Sequence, residues 1–193
     1  MNSLLNDVRK CTLCSEYLPF DPKPILHFSK SAKVLIVGQA PGVKAHTSGI
    51  PWNDASGDRL REWFGVSREQ FYDESIFAIV PMGFCYPGKG KSGDLPPRPE
   101  CSAKWMSPIL DYLGQIQLKV LIGAYSQEYF LKIRSGQLTK TVKNWKKFGP
   151  DVFPLPHPSP RNNIWLKKNP WFQRDLLPKL KKSMHKIVFE CIA

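Results

Sequence analysis

Four short apolar runs set the pattern of the chain. They lie at residues 33–38, 76–80, 118–122 and 152–155. Continuous runs rich in valine, isoleucine and leucine are typical of parallel strands that are buried on both faces. The spacing of apolar residues elsewhere predicts helices. These are expected at 3–10, 57–64, 101–113 and 125–133, with a last helix that begins near Asn169 and Pro170.

This alternation of strands and helices predicts an α/β fold. We expect a three-layer sandwich, in which helices flank a central, mainly parallel four-stranded sheet. The chain has 193 residues, close to the size of one ordinary domain, so a single domain over 1–193 is expected. Ligands in such sheets bind outside the carboxyl ends of the strands. The loops at 38–58, 81–101 and 156–163 are therefore predicted to line one pocket.

The amino-acid composition excludes several classes of protein. With 42% hydrophobic and 23% charged residues, the chain is not disordered, coiled-coil or collagen-like. No run approaches the roughly 18 apolar residues of a membrane span. The N-terminal sequence has no signal-peptide pattern. We therefore expect a soluble, cytoplasmic protein that does not enter a membrane.

Positive charge is concentrated toward the C-terminus. The net charge is +12, and residues 140–193 carry twelve Lys or Arg against three acids, or +9. A basic surface attracts polyanions such as DNA, although charge can also serve solubility alone. Five interleaved aromatic residues favour nucleic acid, because bases stack on aromatic rings. They are Trp145, Phe148, Trp165, Trp171 and Phe172.

The first loop combines a tight turn with residues suited to a ligand. Gly38-Gln-Ala-Pro-Gly42 is expected to be rigid, with a backbone that can approach a ligand closely. Trp52 lies further along this loop and is a candidate stacking platform. Asp54 and Asp58 bracket the start of the next helix, so one of them is expected to cap it.

The last loop, His157-Pro-Ser-Pro-Arg-Asn162, is stiffened by two prolines. It holds His157 at the end of a buried strand. A histidine there can donate to a developing anion, although a lone histidine is more often structural. A glycine- and lysine-rich stretch at 87–93 fails the P-loop spacing in both registers, which argues against a nucleotide triphosphatase. It is predicted to be a flexible basic loop near a phosphodiester backbone.

Four of the five cysteines form two spaced pairs, Cys11 with Cys14 and Cys85 with Cys101. If the pairs meet, they supply four thiolates, which suit either zinc or an iron–sulfur cluster. The alternative is four unrelated thiols. Cys191, close to the end of the chain, is interpreted as incidental.

Together these segments resemble the uracil-DNA glycosylase superfamily over nearly the whole chain. Gly38-Gln-Ala-Pro-Gly42 is similar to its first motif. His157-Pro-Ser-Pro-Arg-Asn162 is similar to its second, above all as it stands in the single-strand-selective monofunctional uracil glycosylases. The resemblance implies a DNA-repair hydrolase, acting as a monomer. It would cleave the N-glycosidic bond of a flipped deaminated base, uracil first, and leave an abasic site.

The resemblance also implies roles for individual residues. Trp52 matches the aromatic residue that stacks on the flipped base in family 4, and His157 matches the histidine that supports the departing base anion. Asp54 resembles the aspartate of family 5 that positions water. Backbone groups from Gln39 through Ala40 and Pro41 to Gly42 would contact the base and stabilise its charge. The residues expected to wedge into DNA are Pro158, Ser159, Pro160, Arg161 and Asn162.

The cysteine positions resemble those of family 4, whose members hold a [4Fe–4S] cluster; zinc is the alternative. Cys11, Cys14, Cys85 and Cys101 are thus expected to form a structural clamp that ties the N-terminal helix to the loop before Cys101. Two positions depart from family 4. Gln39 stands in place of an acid and cannot act as a base. Pro81 stands in place of an asparagine that reads uracil, so the resemblance implies a distinct branch.

Two other classes of function remain open. One is a non-catalytic protein that binds damaged bases or single-stranded DNA and has kept the glycosylase fold. The other is a redox sensor in which the cluster itself is the functional centre, which would require accessible cysteines.

Overall fold

A parallel four-stranded sheet forms the centre of the protein, in a computed structural model that describes residues 3–91, 93–134 and 136–190. The strands are β1 (Val34–Val37), β2 (Phe77–Ile79), β3 (Leu118–Ile122) and β4 (Val152–Leu155). Their order is β2-β1-β3-β4, and all three adjacent pairs are parallel. The order reverses beside β1, which is where such sheets open a crevice for ligands.

Helices connect the strands and cover both faces of the sheet. Within the described residues they are α1 (Ser3–Arg9), α2 (Val43–Ser48), α3 (Ala55–Phe64), α4 (Arg68–Phe71), α5 (Pro99–Tyr112), α6 (Ala124–Leu131), α7 (Leu138–Lys143), α8 (Asn163–Lys168) and α9 (Leu177–Glu190). A π-helical turn, Phe172–Leu176, leads into α9. Of the helices found in these segments, none is long and apolar enough to cross a bilayer.

The two faces of the sheet bury separate apolar clusters. On β1, Val34 and Ile36 face a cluster that includes Leu60 of α3 and residues of α9. Leu35 and Val37 face the other cluster, which includes residues of α1 and α5. Because successive residues of a strand point to opposite faces, an uninterrupted apolar strand needs helices on both sides. The predicted α/β three-layer sandwich is therefore confirmed.

The aromatic residues of the C-terminal segment do not form the exposed stacking surface that the sequence suggested. Trp145 and Phe172 belong to the core. Trp165 and Trp171 are half-buried and pack edge-on against Phe172, with ring centroids 5.7 and 6.4 Å away. Phe148 is half-buried. The prediction that these aromatic rings stack on bases is therefore wrong, because the rings pack against the sheet and against one another.

Candidate active site

A pocket of about 460 Å³ opens at the carboxyl ends of β1, β2 and β4. All three predicted loops contribute to its lining, so the prediction of a shared pocket is confirmed. Ten of the residues singled out from the sequence line it: Gln39, Ala40, Pro41, Gly42, Trp52, Asp54, His157, Ser159, Arg161 and Asn162. Pro158 is buried under the loop and Pro160 is exposed, and neither is among the lining residues.

Trp52 is held in an unusual backbone conformation beside the first motif. Its φ of 56° lies in the left-handed region that side-chain-bearing residues rarely adopt. Two hydrogen bonds fix the chain there, one from Arg61 Nη1 to Trp52 O at 3.3 Å and one from the Tyr72 hydroxyl to Pro51 O at 2.7 Å. A Cβ on Gly38 would lie 2.9 Å from Trp52 Cζ2. The indole therefore packs against the Gly38 backbone, where only glycine leaves it room.

The two acids at the start of α3 have different roles. Asp54 is the N-cap of α3, and its Oδ1 accepts a hydrogen bond from the Gly57 N–H at 2.9 Å. Asp58 lies in the first turn and pairs with the buried Arg61. The predicted cap is thus Asp54. Its carboxylate also lines the pocket, so one group serves the helix and faces the ligand space.

His157 lies two residues beyond the end of β4 and packs beside Trp52, with ring centroids 5.5 Å apart. Burial lowers the pKa of His157, and the nearby Asp54 carboxylate opposes that shift. The Ser159 N–H donates to His157 Nδ1 at 3.2 Å. A ring nitrogen that accepts a hydrogen bond carries no proton, so the neutral imidazole carries its proton on Nε2. His157 can therefore donate from Nε2 to a ligand atom.

The loop from His157 to Asn162 is closed by its own hydrogen bonds. Asn162 Nδ2 donates to His157 O at 2.7 Å, and Arg161 N donates to Ser159 Oγ at 3.2 Å. Arg59 of α3 ties the loop down, because its Nη1 donates to Ser159 O at 3.2 Å. Asn162, predicted as a DNA contact, thus uses its side chain amide to hold the loop in shape.

Sequence reasoning missed Asp94, a carboxylate that the loop after β2 delivers to the pocket. A Cβ on Gly42 would lie 3.5 Å from Asp94 Oδ2, so the carboxylate lies over the first motif. In the sequence it is an acid that directly follows a glycine- and lysine-rich stretch. Nothing in the sequence separates it from the other acids of the chain, because its position depends on how that turn folds.

Ile164 was also missed. It is the most exposed large hydrophobic residue among those described, at 68%, and it lies two residues beyond the His157–Asn162 loop. Lys167 and Lys168 follow on the same helix and are exposed. An apolar side chain between a rigid loop and two cations is suited to a surface that meets stacked bases beside phosphates.

The four predicted cysteines converge on one narrow cavity of about 10 Å³, beside the loop after β2. All four are free thiols; Cys191 lies outside the described residues. Cys14 and Cys101 are buried and share a hydrogen bond, and Trp105 Nε1 donates to Cys11 Sγ at 3.3 Å. The two pairs therefore meet at one cavity, which is the condition for a shared four-thiolate site.

The four sulfur donors and their surroundings suit a metal ion that prefers thiolate ligands. The backbones of Lys23 and Phe84 lie beside the sulfurs of Cys85 and Cys101 and oppose the rise in the pKa of these thiols, and polar backbone groups also surround the sulfurs of iron–sulfur sites. Burial raises the pKa of Cys85 to about 11 and that of Cys101 to about 12, so both thiols stay protonated until a cation displaces the proton. No group of three or more His, Cys, Asp or Glu side chains within the described residues has metal-ligand geometry.

Comparison with known families agrees with this arrangement. A family model described as the Uracil DNA glycosylase superfamily matches residues 26–181, which includes the whole sheet and every residue of the pocket except Ile25. The match begins after Cys11 and Cys14, so it does not bear on the first cysteine pair. A pocket that gathers both motifs at the carboxyl ends of a parallel sheet, together with this match, shows that the chain belongs to the uracil-DNA glycosylase superfamily, whose members are DNA-repair hydrolases of N-glycosidic bonds.

Proposed function

We propose that this protein removes a deaminated base, uracil first, from DNA by hydrolysing its N-glycosidic bond and leaving an abasic site. The observation that carries the proposal is that Trp52 and His157 lie next to each other in the wall of a 460 Å³ pocket that also holds a carboxylate, Asp54. Pockets of ~300–1,000 Å³ are typical of small-ligand sites, and a flipped nucleobase is a flat, partly polar ligand of this class.

The proposed mechanism begins with extrusion of the target base, since its glycosidic bond cannot be reached inside the stack. The base would lie against the Trp52 indole, while the rigid His157–Asn162 loop and Ile164 occupy the gap in the stack. Lysines and arginines of the C-terminal third would hold phosphates. Among them, Lys167, Lys168 and Arg161 lie at or beside the loop.

Bond cleavage places positive charge on the sugar and negative charge on the departing base. The His157 Nε2–H and backbone N–H groups of the Gln39–Gly42 turn are the proposed donors to that anion. Such donors act most strongly when fixed in a site that excludes water. A neutral histidine suits this role, because it donates a hydrogen bond without protonating the base outright. Asp54 would face the positive sugar and orient water.

The cysteine clamp is proposed to hold a [4Fe–4S] cluster, with zinc as the alternative, through Cys11, Cys14, Cys85 and Cys101. When bound, the cluster or zinc ion would cross-link the N-terminal arm to the loop after β2. A contact within the chain already joins the same two segments, because the Arg98 guanidinium lies 4.1 Å from the Tyr17 ring centroid. Access is limited by the burial of Cys14 and Cys101, which speaks against a redox sensor.

The test is base release from labelled oligonucleotides that carry uracil, hypoxanthine or xanthine, single-stranded and duplexed. Abasic sites are then revealed by alkali. We expect the wild type to release at least one of these bases and His157→Ala to release none. The base that is released identifies the substrate. One observation favours a second candidate, a damaged-base binding protein: Gln39 supplies an amide where an acid would serve catalysis. Oligonucleotide binding without release, by protein with its metal complete, would favour that candidate and overturn the first.

A further inference from the structure

The segment between β2 and α5 folds back on itself before it reaches the pocket. Predicted to be a flexible loop, it forms a turn in which Lys89 and Asp94 make an antiparallel bridge. The Leu95 N–H donates to Gly88 O at 2.8 Å, and the Gly90 N–H donates to Gly93 O. Asp94 therefore lies on the second arm of a hydrogen-bonded turn.

This turn places the Asp94 carboxylate between the first and the last motif. Its Oδ2 lies 3.5 Å from the position that a Cβ on Gly42 would occupy. Arg161 reaches the same turn from the other side, since its Nη1 lies 3.1 Å from the Cβ position of Gly93. Asp94 thus lines the pocket where the sugar and phosphate of a flipped nucleotide would enter, next to a cation that can hold that phosphate.

The other two candidates for a general base are less suited to the task. Asp54 Oδ1 already accepts the Gly57 N–H as the cap of α3, so protonation there would weaken the helix start. Gln39 cannot accept a proton. Its side chain instead donates from Nε2 to Leu95 O at 3.2 Å, which anchors the residue next to Asp94.

We infer that Asp94 is the catalytic carboxylate of the base-release reaction and that Gln39 is the residue that positions it. The inference rests on the proposed function. In the step, the oxygen of a water molecule forms a bond to C1′ while the C1′–N bond breaks and its electron pair leaves with the base. Asp94 accepts one proton from that water. The base anion is held by His157 and then takes a proton from solvent, to which Asp94 returns its own.

The electrostatic surroundings of Asp94 agree with this role. Partial desolvation raises the pKa of Asp94 and the Asp54 carboxylate adds to that, while Arg161 and Lys89 oppose it. A general base works best when its pKa approaches the operating pH, so a raised value helps. Base release by the wild type should therefore decline as the pH falls through the Asp94 pKa. In Asp94→Asn this acid-dependent decline should disappear.

The first experiment measures single-turnover base release by the full-length, metal-complete protein and by Asp94→Asn. We expect a loss of about 100-fold or more, the range of general-base catalysis. Affinity for the same oligonucleotide should be kept or slightly increased, since an anion is removed near phosphates. Asp111→Asn is the matched control. It removes an exposed carboxylate from the last turn of α5, close to where β3 begins and so at the opposite edge of the sheet.

The outcomes separate the two proposals. If the wild type releases no base, the proposed function fails, and this inference fails with it. If the wild type releases base and Asp94→Asn does so at an equal rate, the inference fails and the proposed function stands. A slower Asp94→Asn whose pH profile still matches that of the wild type would show that Asp94 is not the titrating base, and would also overturn the inference.

The second experiment tests how Gln39 acts. Gln39→Ala should slow base release by about tenfold in the wild-type background, the order of one lost positioning contact. In the Asp94→Asn background the same change should have little effect, because a positioning residue acts only through the group that it positions. Equal losses in both backgrounds would show that Gln39 contributes independently of Asp94 and would overturn its positioning role.

Discussion

The carbonyl oxygen of Trp52 occupies the space where a side chain at residue 57 would begin. A Cβ on Gly57 would lie only 1.7 Å from Trp52 O, a distance that no pair of non-bonded atoms tolerates. The first turn of α3 and the indole-bearing loop are therefore packed backbone to backbone. This contact sets the position of the Trp52 backbone relative to α3, and so the position of the indole in the pocket.

Gly57→Ala should consequently destabilise the protein, because α3 or the Trp52 loop must move. We expect a loss of about 3 kcal/mol in the free energy of unfolding, the order of a severe overpacking change. Urea denaturation checks this. Gly114→Ala is the matched control, since no atom lies within 4 Å of its Cβ position. Equal stability of the two variants would contradict the close packing.

His157→Ala should lower base release by about 100- to 1,000-fold, the usual effect of removing one fixed donor to a developing anion. The fold should survive, because the ring is half-buried and its backbone carbonyl still accepts from Asn162. Single-turnover rates and melting temperatures measure the two effects. His185→Ala, at an exposed position of α9, is the control. Unchanged release in His157→Ala would remove the residue from the mechanism.

Ile164→Ala should reduce release from duplex DNA and leave release from single strands nearly unchanged. Only a duplex has a gap to fill when a base is extruded, and filling it offsets an unstacking cost of a few kcal/mol. Rates on matched single- and double-stranded oligonucleotides give the ratio. Phe189→Ala removes another exposed apolar side chain, near the end of α9, and should not alter this ratio. Equal losses on both substrates would exclude a wedge.

Cys85→Ser should lower the melting temperature and the bound iron or zinc more than it lowers the rate of base release. The thiol lies in the clamp and not in the pocket, so its loss loosens the N-terminal arm first. Metal analysis, thermal denaturation and single-turnover rates provide the three readouts, and a chelator should lower the melting temperature of the wild type. Cys191→Ser is the control. A large rate loss at unchanged stability would contradict a structural clamp.

His27 should make the protein sensitive to mild acid. Burial, with a smaller contribution from Arg9, lowers its pKa from 6.5 to about 4, and no described residue hydrogen-bonds Nε2. Between these values the unfolded chain binds the proton and the folded chain does not. Stability is therefore complete above pH 6.5 and decreases as the pH falls toward 4, by about 3 kcal/mol in all.

His27→Phe should remove most of this decrease, since the ring position beside Tyr72 is kept without a titrating group. Urea denaturation at pH 7 and at pH 5 measures it. His157, whose pKa is also lowered by burial, retains its own contribution in the same direction. A variant whose stability falls with acid as steeply as that of the wild type would show that His27 is not the source.

Much of the fold could be predicted, because apolar patterning is a local property. All four strands were found, with β3 and β4 at the observed bounds, and the five predicted helices exist. The missed helices α2, α4, α7 and α8 have six residues or fewer, too short for a helical period to show. Their stability comes from packing and from caps such as Ser67 at α4.

The sequence by itself determined the two motifs, the buried strands that must carry them to one edge of a sheet, and the two cysteine pairs whose spacing suits a shared site. Each of these depends on residue type and on separation along the chain. The tertiary structure decided that a second acid, Asp94, reaches the pocket beside Asp54, which nitrogen of His157 is free to donate, and that the C-terminal aromatic residues pack in or against the core. Those outcomes depend on contacts between segments far apart in the chain, such as Gly42 with Asp94 and Trp52 with His157, and such contacts form only when the whole sheet has assembled.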